Sequence, residues 1–302
     1  VTGGPRVALA FHPGSGRGAA ARLAGAVATR LRPHVARLDV IDADTIEGAR
    51  GRLEAARECG LDALVVVGGD GAAHQAVQFC AGTPVALGIV PSGTGNDLAR
   101  ALDVPVDPAA AVDLLTGALR SGRRRVLDLG RAGETWFGTV LCTGFDAAVN
   151  DRANRLPWPR GPRRYDVAIA AELASFRARD IRVTTDAAGE LTLPAMLVAV
   201  GNTPWYGAGI PVCPGADPTD GLLDVTVVGQ VGYRELMRVL PRLRTGRHVE
   251  HPAVTTLRAR TVEVADVGTT AGPAWPVFAD GDPLGGLPTS ISCVPQALTV
   301  LA

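Results

Sequence analysis

The chain contains no lysine: every one of its 30 Lys-or-Arg positions is arginine. A nucleotide loop of the GxxxxGK[ST] type, whose lysine reaches the phosphates, is therefore excluded. Cysteine is sparse and scattered, with five residues (Cys59, Cys80, Cys142, Cys213, Cys293) and no CxxC pair. That argues against a disulfide framework and against a zinc site, and points to a reducing cytosol. Neither sign of charge is in excess, since 30 acidic residues balance the 30 basic ones. No overall field draws the chain to nucleic acid, and any pull toward an anionic surface has to come from a local patch. No apolar run approaches the roughly 18 residues of a membrane span. The opening VTGGPRVALAF lacks the charged and long apolar regions of a signal peptide, so the expected location is cytoplasmic. Internal repeats and low-complexity segments are absent as well. What remains is a 302-residue chain, 47% apolar, long enough for one large domain or two medium ones with sizeable cores. A homodimer is left open.

The first third alternates strand and helix. RVALAF (6–11) reads as a strand, HPGSGRG as a glycine turn, and Leu23, Val27 and Leu31 as one face of a helix. VARLDVID is a second strand. Asp44 with Glu47 resembles a capping box for a helix over about 45–59, with Gly60 at its C′ position. DALVVVGG is a third strand, continuous in β-branched residues and so buried on both faces. A helix over about 72–81, the strand PVALGIVP and a short helix near 95–102 follow. Asp107-Pro108 then sets an N-cap before an N1 proline. This alternation predicts an α/β domain with an open parallel sheet over residues 1–123. From about 124 the pattern changes to strands: RRVLDLG, TWFGTVLCTG, DIRVTTD, AMLVAVGN, LLDVTVV, TTLRARTVEV and the stretch after Pro288, with helical patches at 165–178 and 231–244. A β-rich domain is expected over 124–293, with the boundary in SGRRR (121–125).

Two glycine loops carry the chemistry. Strand three runs into Gly68-Gly69-Asp70-Gly71 and then a helix, which puts backbone N–H groups at a helix N-terminus where a phosphate binds. Ser92-Gly93-Thr94-Gly95-Asn96-Asp97 repeats the device after the next strand and adds hydroxyls. Both lie at the carboxyl ends of neighbouring parallel strands, where open α/β sheets take ligands. Tight turns alone would explain one such loop, but not two in register with polar tips. GSGRGA (14–19) also satisfies a GxGxxA dinucleotide pattern with Asp39 downstream, a weak signal that leaves the other two loops unexplained.

GGDGAAHQAV (68–77) together with GIVPSGTGNDLAR (88–100) resembles the diacylglycerol kinase catalytic family, which includes bacterial lipid kinases and sphingosine kinases. The likeness continues through FHPGSGRG (11–18), GFDAAV (144–149), GADPTDGLLDV (215–225) and FADGDPL (278–284), and spans nearly the whole chain in the expected order. GGDG alone is shared with NAD kinases. GTGNDLAR with the downstream DGLLDV is specific to the lipid-kinase group. The resemblance implies phosphoryl transfer from ATP, with Mg²⁺, to the hydroxyl of a membrane lipid such as diacylglycerol. It implies an ATP domain, a β-sandwich-like second domain, a cleft between them, and last residues (294–302) that return to the first domain. Carried over by position, His12, Pro13, Gly14, Ser15 and Gly16 match the first nucleotide loop. Gly68, Gly69, Asp70, Gly71, Ala72, Ala73 and His74 match the second, and Thr94 matches the threonine of the loop that also holds Asn96 and Asp97. Asp220 falls on a metal-binding carboxylate, with Asp217 and Leu222 in the same loop. Asp282 falls on the catalytic base, and Asp70 is the other candidate catalytic carboxylate. Four positions depart from the family: His12 for Asn, Ala72 for a phosphate-binding Thr, Gln75 for Glu, and Asp282 for Glu. These departures keep open a kinase of a soluble alcohol or of NAD, and a nucleotide- or lipid-binding pseudokinase.

Other residues divide between structural and functional readings. Asp70 either closes its own turn or positions nucleotide and metal. Asp97 either serves the first turn of a short helix or faces ligand. Asp146 either caps a helix or lies near the acceptor hydroxyl. HVEH (248–251) has no third ligand nearby and reads as a loop. The segment RANRLPWPRGPRR (152–164) has five arginines around Trp158 and no acidic residue. Arginine pairs with lipid phosphate and tryptophan settles at headgroup level, so a peripheral contact with the inner face of a membrane is expected there. PWYG (204–207) adds two amphipathic aromatics in a loop expected on the acceptor side.

Overall fold

The computed structural model describes residues 4–14, 19–158, 167–168, 171–172, 177–232, 235, 239, 241–268 and 274–302. The chain divides into two compact units. The first comprises Val1–Leu129, Gly207–Gly209 and Val294–Ala302, and the second Gly130–Tyr206 and Ile210–Cys293.

The first unit is built from β1 (Arg6–Phe11), α1 (Ala19–Leu31), β2 (Arg37–Asp42), α2 (Ile46–Glu58), β3 (Ala63–Gly68), α3 (Asp70–Cys80), β4 (Ala86–Pro91), α4 (Asp97–Ala101) and α5 (Pro108–Ser121). Strands β1 to β4 pair in parallel, in the order β4–β3–β1–β2. All six residues of β3 and of β4 are buried, as uninterrupted apolar runs require in a sheet covered on both faces. The core joins Val7, Leu9, Val65, Val67 and Val90 to Val27 and Leu31 of α1 and Val112 and Leu115 of α5. Asp107 caps α5 as its sequence predicts, its carboxylate accepting from Ala110 N at 2.9 Å. The cap of α2 differs. Thr45 takes it, accepting from Gly48 N at 3.1 Å, while the Asp44 carbonyl turns to His12. The cap lies one residue nearer the helix, so its N3 position is Gly48 and not Glu47, and no capping box forms.

The second unit is mostly antiparallel. β5 (Arg124–Ala132) leads into it, followed by β6 (Thr135–Phe137), β7 (Val140–Gly144), α6 (Phe145–Arg155), β8 (Arg179–Thr185), β9 (Gly189–Gly201), β10 (Trp205–Tyr206), β11 (Ile210–Pro211), β12 (Leu223–Gly229), β13 (Val254–Ala259), β14 (Thr261–Asp266), β15 (Pro276–Ala279), β16 (Asp282–Gly286) and β17 (Thr289–Leu301). Strand β9 pairs with β7, β8 and β12, and the core of this unit joins its Val198 to Phe137, Ile181, Val225 and Val264. The start of β17 pairs with β14 in this unit. Its end belongs to the first unit, where Val300 lies parallel to Leu87 of β4.

Two segments expected as single strands are broken. TWFGTVLCTG splits into β6 and β7 at Gly138-Thr139, whose amides are taken by Asp280. TTLRARTVEV splits into β13 and β14 at Arg260, where the Asp186 carboxylate accepts from both Arg260 N and Thr261 N. Each break is made by a carboxylate distant in sequence, which strand periodicity does not register. The expected helical patches at 165–178 and 231–244 lie partly outside the described residues.

Candidate active site

In the first unit, β3 and β4 end side by side, with Gly68 paired to Pro91. The two glycine loops therefore leave the sheet as neighbours. They touch through backbone: a Cβ built on Gly93 would collide with Gly69 Cα, so only glycine at 93 permits this approach. Ser92 N donates to Gly68 O at 2.8 Å. Asp70 completes the brace, its Oδ2 accepting from Asn96 N at 2.9 Å and its Oδ1 from Asp97 N at 2.6 Å. Its carboxylate thus holds the second loop and does not close its own turn.

Asn96 is left-handed (φ 57°) and clips its own loop, with Oδ1 accepting from Gly93 N and Nδ2 donating to Gly93 O. Asp97 is buried in the first turn of α4. It accepts from Ala208 N at 3.0 Å and Gly209 N at 2.7 Å. Burial, then the Asp70 charge, raises its pKa, while the two amides and Arg100 oppose that. Ser92, Gly93 and Thr94 are exposed, as is Gly71, and Ala72 is partly so. Ala73 and His74 are buried on the inner side of α3, so the surface of the GGDG stretch ends at Ala72.

His12 follows β1 and is exposed. Its Nδ1 accepts from Gly14 N at 3.1 Å, which leaves Nε2 to donate to Asp44 O at 3.2 Å. The ring thus shapes the first loop as a side-chain amide would. Ser15 and Gly16 lie outside the described residues.

In the second unit, Asp282 opens β16 opposite Ala279, across the two-residue turn Asp280-Gly281. Both turn residues have positive φ (50° and 92°), the type I′ geometry that Asp-Gly favours. Asp146 stands in the first turn of α6. Its carboxyl meets Cys142, whose thiol donates to Oδ2 at 3.2 Å, and the Tyr206 hydroxyl. Burial raises its pKa, and the two donors oppose that.

In the 217–222 loop, Asp217 Oδ1 accepts from Thr219 N and Oγ1 at 3.0 and 2.6 Å. Asp220 Oδ1 accepts from Leu222 N at 2.9 Å, and its Oδ2 pairs with Arg258 Nη2. Arg258 Nε also meets Asp224 Oδ2 at 3.1 Å. Two carboxylates and a carbonyl are oxygen ligands of the kind Mg²⁺ takes, but Arg258 already stands on Asp220. Among the described residues no group of three or more His, Cys, Asp or Glu is placed to hold a metal. In the HVEH stretch His248 is fully buried with Nε2 against Val212 O, and His251 pairs with Glu235.

Sequence reasoning missed the Ala208-Gly209 amides on Asp97 and the attachment of Asp280 to Gly138-Thr139. Consecutive positive φ at Gly207, Ala208 and Gly209 leaves only a faint trace in the sequence, as YGAG.

The match to known families follows these two units. A diacylglycerol kinase catalytic domain model matches residues 6–132, and a YegS C-terminal NAD kinase beta sandwich-like domain model matches 139–302. The chain is 43% identical to a Mycobacterium tuberculosis diacylglycerol kinase, over 98% of this chain and 94% of that one. It is 29% identical to a diacylglycerol kinase of Staphylococcus saprophyticus, over 70% of each. Among solved structures, a diacylglycerol kinase from Bacillus anthracis superposes with a TM-score of 0.73 at 20% identity, covering 100% of this chain and 98% of that one. Yeast NADH kinase shares the fold more distantly, with a TM-score of 0.53 at 12% identity, covering 100% and 84%.

Proposed function

The chain belongs to the diacylglycerol kinase catalytic family, and on that premise we propose that it is an ATP-dependent lipid kinase whose acceptor is the hydroxyl of diacylglycerol or a related lipid. The observation that carries this reading is the apposed pair of glycine loops. Their backbones touch, they leave paired strand ends, and they present Gly71, Ser92 and Thr94 outward. Phosphoryl transfer asks chiefly for positioning and charge neutralisation. When bound, Mg²⁺-ATP supplies the transferable group and part of that neutralising charge. The chain supplies amide donors from Gly69 and Gly71, the Thr94 hydroxyl, and the His12-shaped first loop, held in register by Asp70, Asn96 and Asp97. Asp217, Asp220 and the Leu222 carbonyl would hold a divalent ion, with Arg258 as competitor.

On the acceptor side Asp282 is the base. It takes the proton of the lipid hydroxyl as the oxygen attacks, and needs that oxygen within about 2.6–3.2 Å directly or through one water. Asp146 and Tyr206 lie with the acceptor loops of the same unit.

Membrane contact is assigned to the end of α6. Trp158 is 79% exposed and Arg155 projects beside Asp151. Arg160, Arg163 and Arg164 lie outside the described residues. Among the described residues no helix is long and apolar enough to cross a membrane.

A radiolabelled-ATP assay against diacylglycerol, sphingoid bases, NAD and glycerol, with and without Mg²⁺, tests the reading. Transfer to diacylglycerol or a related lipid alone is the expected result. Transfer to NAD or glycerol overturns the lipid assignment. Saturable ATP binding with transfer to none of them makes the protein a pseudokinase.

A further inference from the structure

We propose that Asp280 is the positioning residue of the base: its carboxylate fixes the turn that aims Asp282. The proposal rests on the kinase reading above. It deepens that reading by assigning a function to a residue beside the base.

A type I′ turn needs positive φ at both central positions, and Asn or Asp at the first serves equally well. The turn alone therefore does not explain an aspartate. The carboxylate does more. Its Oδ1 accepts from Thr139 N at 2.8 Å and from Thr139 Oγ1 at 2.5 Å, and its Oδ2 accepts from Gly138 N at 2.9 Å. Asp280 N donates back to Val140 O at 3.0 Å. Three donors converge on one carboxylate, 141 and 142 positions away in sequence.

The partner of this clamp is itself fixed. Thr139 O accepts from Asn202 N at 2.8 Å and from Thr203 N at 3.2 Å, and Gly138 O accepts from Asn202 Nδ2 at 3.0 Å. Thr139, Asn202 and Thr203 are all buried. The Gly138-Thr139 peptide is thus engaged on its donor side by Asp280 and on its acceptor side by the segment that leads into β10. Two residues beyond the clamp stands Asp282. Its backbone is held in the hairpin, so an error in the turn passes directly to the carboxylate. An aspartate base has one methylene fewer than glutamate with which to absorb such an error. A misplacement of about 1 Å can cost on the order of 10²-fold in rate.

Asp280→Asn is the discriminating variant. Asparagine suits the turn, but its amide nitrogen faces an N–H donor, and it has one acceptor oxygen for three donors. Thr139→Ala removes only the hydroxyl contact, and Thr139→Ser restores it, so a folding failure of the first variant does not end the test. Turnover, the KM for ATP, and backbone hydrogen exchange of the peptide spanning 280–286 are measured for these variants, singly and combined with Asp282→Asn. The expected results are a turnover at least tenfold lower in Asp280→Asn and lower in Thr139→Ala, recovered in Thr139→Ser. The KM for ATP is unchanged, and exchange at 280–286 is faster. In the Asp282→Asn background the Asp280→Asn change has no further effect on turnover. Full turnover in Asp280→Asn, or a loss that multiplies with that of Asp282→Asn, overturns the proposal. If the wild-type chain phosphorylates no acceptor, the kinase reading fails, and exchange decides the clamp alone: faster exchange at 280–286 supports it, unchanged exchange overturns it.

Discussion

Asp97 donates its backbone N–H to Asp70 Oδ1 at 2.6 Å across 27 positions of sequence. Asp97 then uses its own carboxylate on Ala208 N and Gly209 N. One carboxylate orders the second glycine loop on the first, and the next orders the Gly207–Gly209 segment on the second loop. A charge-assisted bond of this kind contributes about 1.5–3 kcal/mol, and an orphaned buried donor costs about as much. Asp70→Asn should therefore lower both stability and nucleotide affinity, the latter about tenfold by calorimetry. Gly93→Ala drives a methyl into Gly69 Cα and should abolish nucleotide binding while changing the melting temperature less. Wild-type ATP affinity in both variants would refute a shared nucleotide site.

Asp146, partly buried in the first turn of α6, gives the fold a pH dependence of definite sign. Burial raises its pKa above the ordinary value of 3.8. Between that value and the raised one, the folded chain binds a proton that the unfolded chain has released. Its contribution to stability is fully present below the ordinary value and is lost as pH rises through the raised one. Asp146→Asn removes the ionisation. The melting temperature of this variant relative to wild type should climb as pH rises from about 4 toward neutrality. A constant difference across that range would show that Asp146 does not carry the dependence.

The alternation of the first unit, its two glycine loops and the caps at Asp107 and Gly60 were legible because each depends on residues close in sequence. Continuous apolar β3 announced a sheet covered on both faces, and Gly-Gly-Asp-Gly announced its exit. What the sequence did not disclose are the long-range carboxylates. Asp186, Asp280 and Asp97 each take a pair of backbone amides from a distant segment, and two of them break a strand that periodicity reads as one. An amide has no side-chain signature, so its acceptor cannot be named before the chain is folded. Asp70 was legible as important but not in its role. For Asp97 the sequence left open a place in the first turn of α4 or a face toward ligand; its carboxylate accepts from Ala208 N and Gly209 N, and Asn96 clips its own loop at Gly93.

Trp158 offers a direct test of membrane contact. An exposed tryptophan beside arginine is suited to the headgroup layer, and each arginine near an anionic surface contributes about 1 kcal/mol. Trp158→Ala should reduce sedimentation with phosphatidylglycerol vesicles and leave binding to neutral vesicles low. Arg155→Gln should act in the same direction, and added salt should imitate it. Unaltered sedimentation in the double variant would place the contact elsewhere.

Arg258 offers a test of metal binding at the 217–222 loop. The guanidinium lies between Asp220 and Asp224, where its positive charge opposes a divalent ion. Arg258→Gln removes that charge, so Mg²⁺ titrated without nucleotide should raise the melting temperature of the variant more than that of the wild type. In low Mg²⁺ the variant should be the less stable, because Asp224 is then left with burial that already raises its pKa and no cation to offset it. An equal Mg²⁺ response in both proteins would mean that the ion, if bound, does not use Asp220.

Ala72 is the departure from the family whose reversal adds a phosphate donor. It occupies the first turn of α3, partly exposed where the GGDG loop gives way to helix. A threonine hydroxyl there adds one donor toward phosphate. A neutral hydrogen bond contributes about 0.5–1.5 kcal/mol net, and one to a charged group about 1.5–3. At 1.4 kcal/mol per tenfold in affinity, the neutral range corresponds to about two- to tenfold. Packing limits how the new side chain can turn, because the Ala72 methyl already lies against Gly68 at the end of β3. The hydroxyl therefore has to point toward the loop mouth, and the added methyl to stay clear of Gly68. Threonine also lowers helix propensity by up to about 0.7 kcal/mol relative to alanine, so a small loss of stability is expected alongside the gain in affinity. Ala72→Val carries the same bulk and branching without the hydroxyl. Calorimetry should show Ala72→Thr binding ATP more tightly than wild type, and Ala72→Val no more tightly than wild type. Equal affinities for Thr and Val would show that the hydroxyl finds no phosphate at this position, and that the loop binds its nucleotide through backbone amides alone.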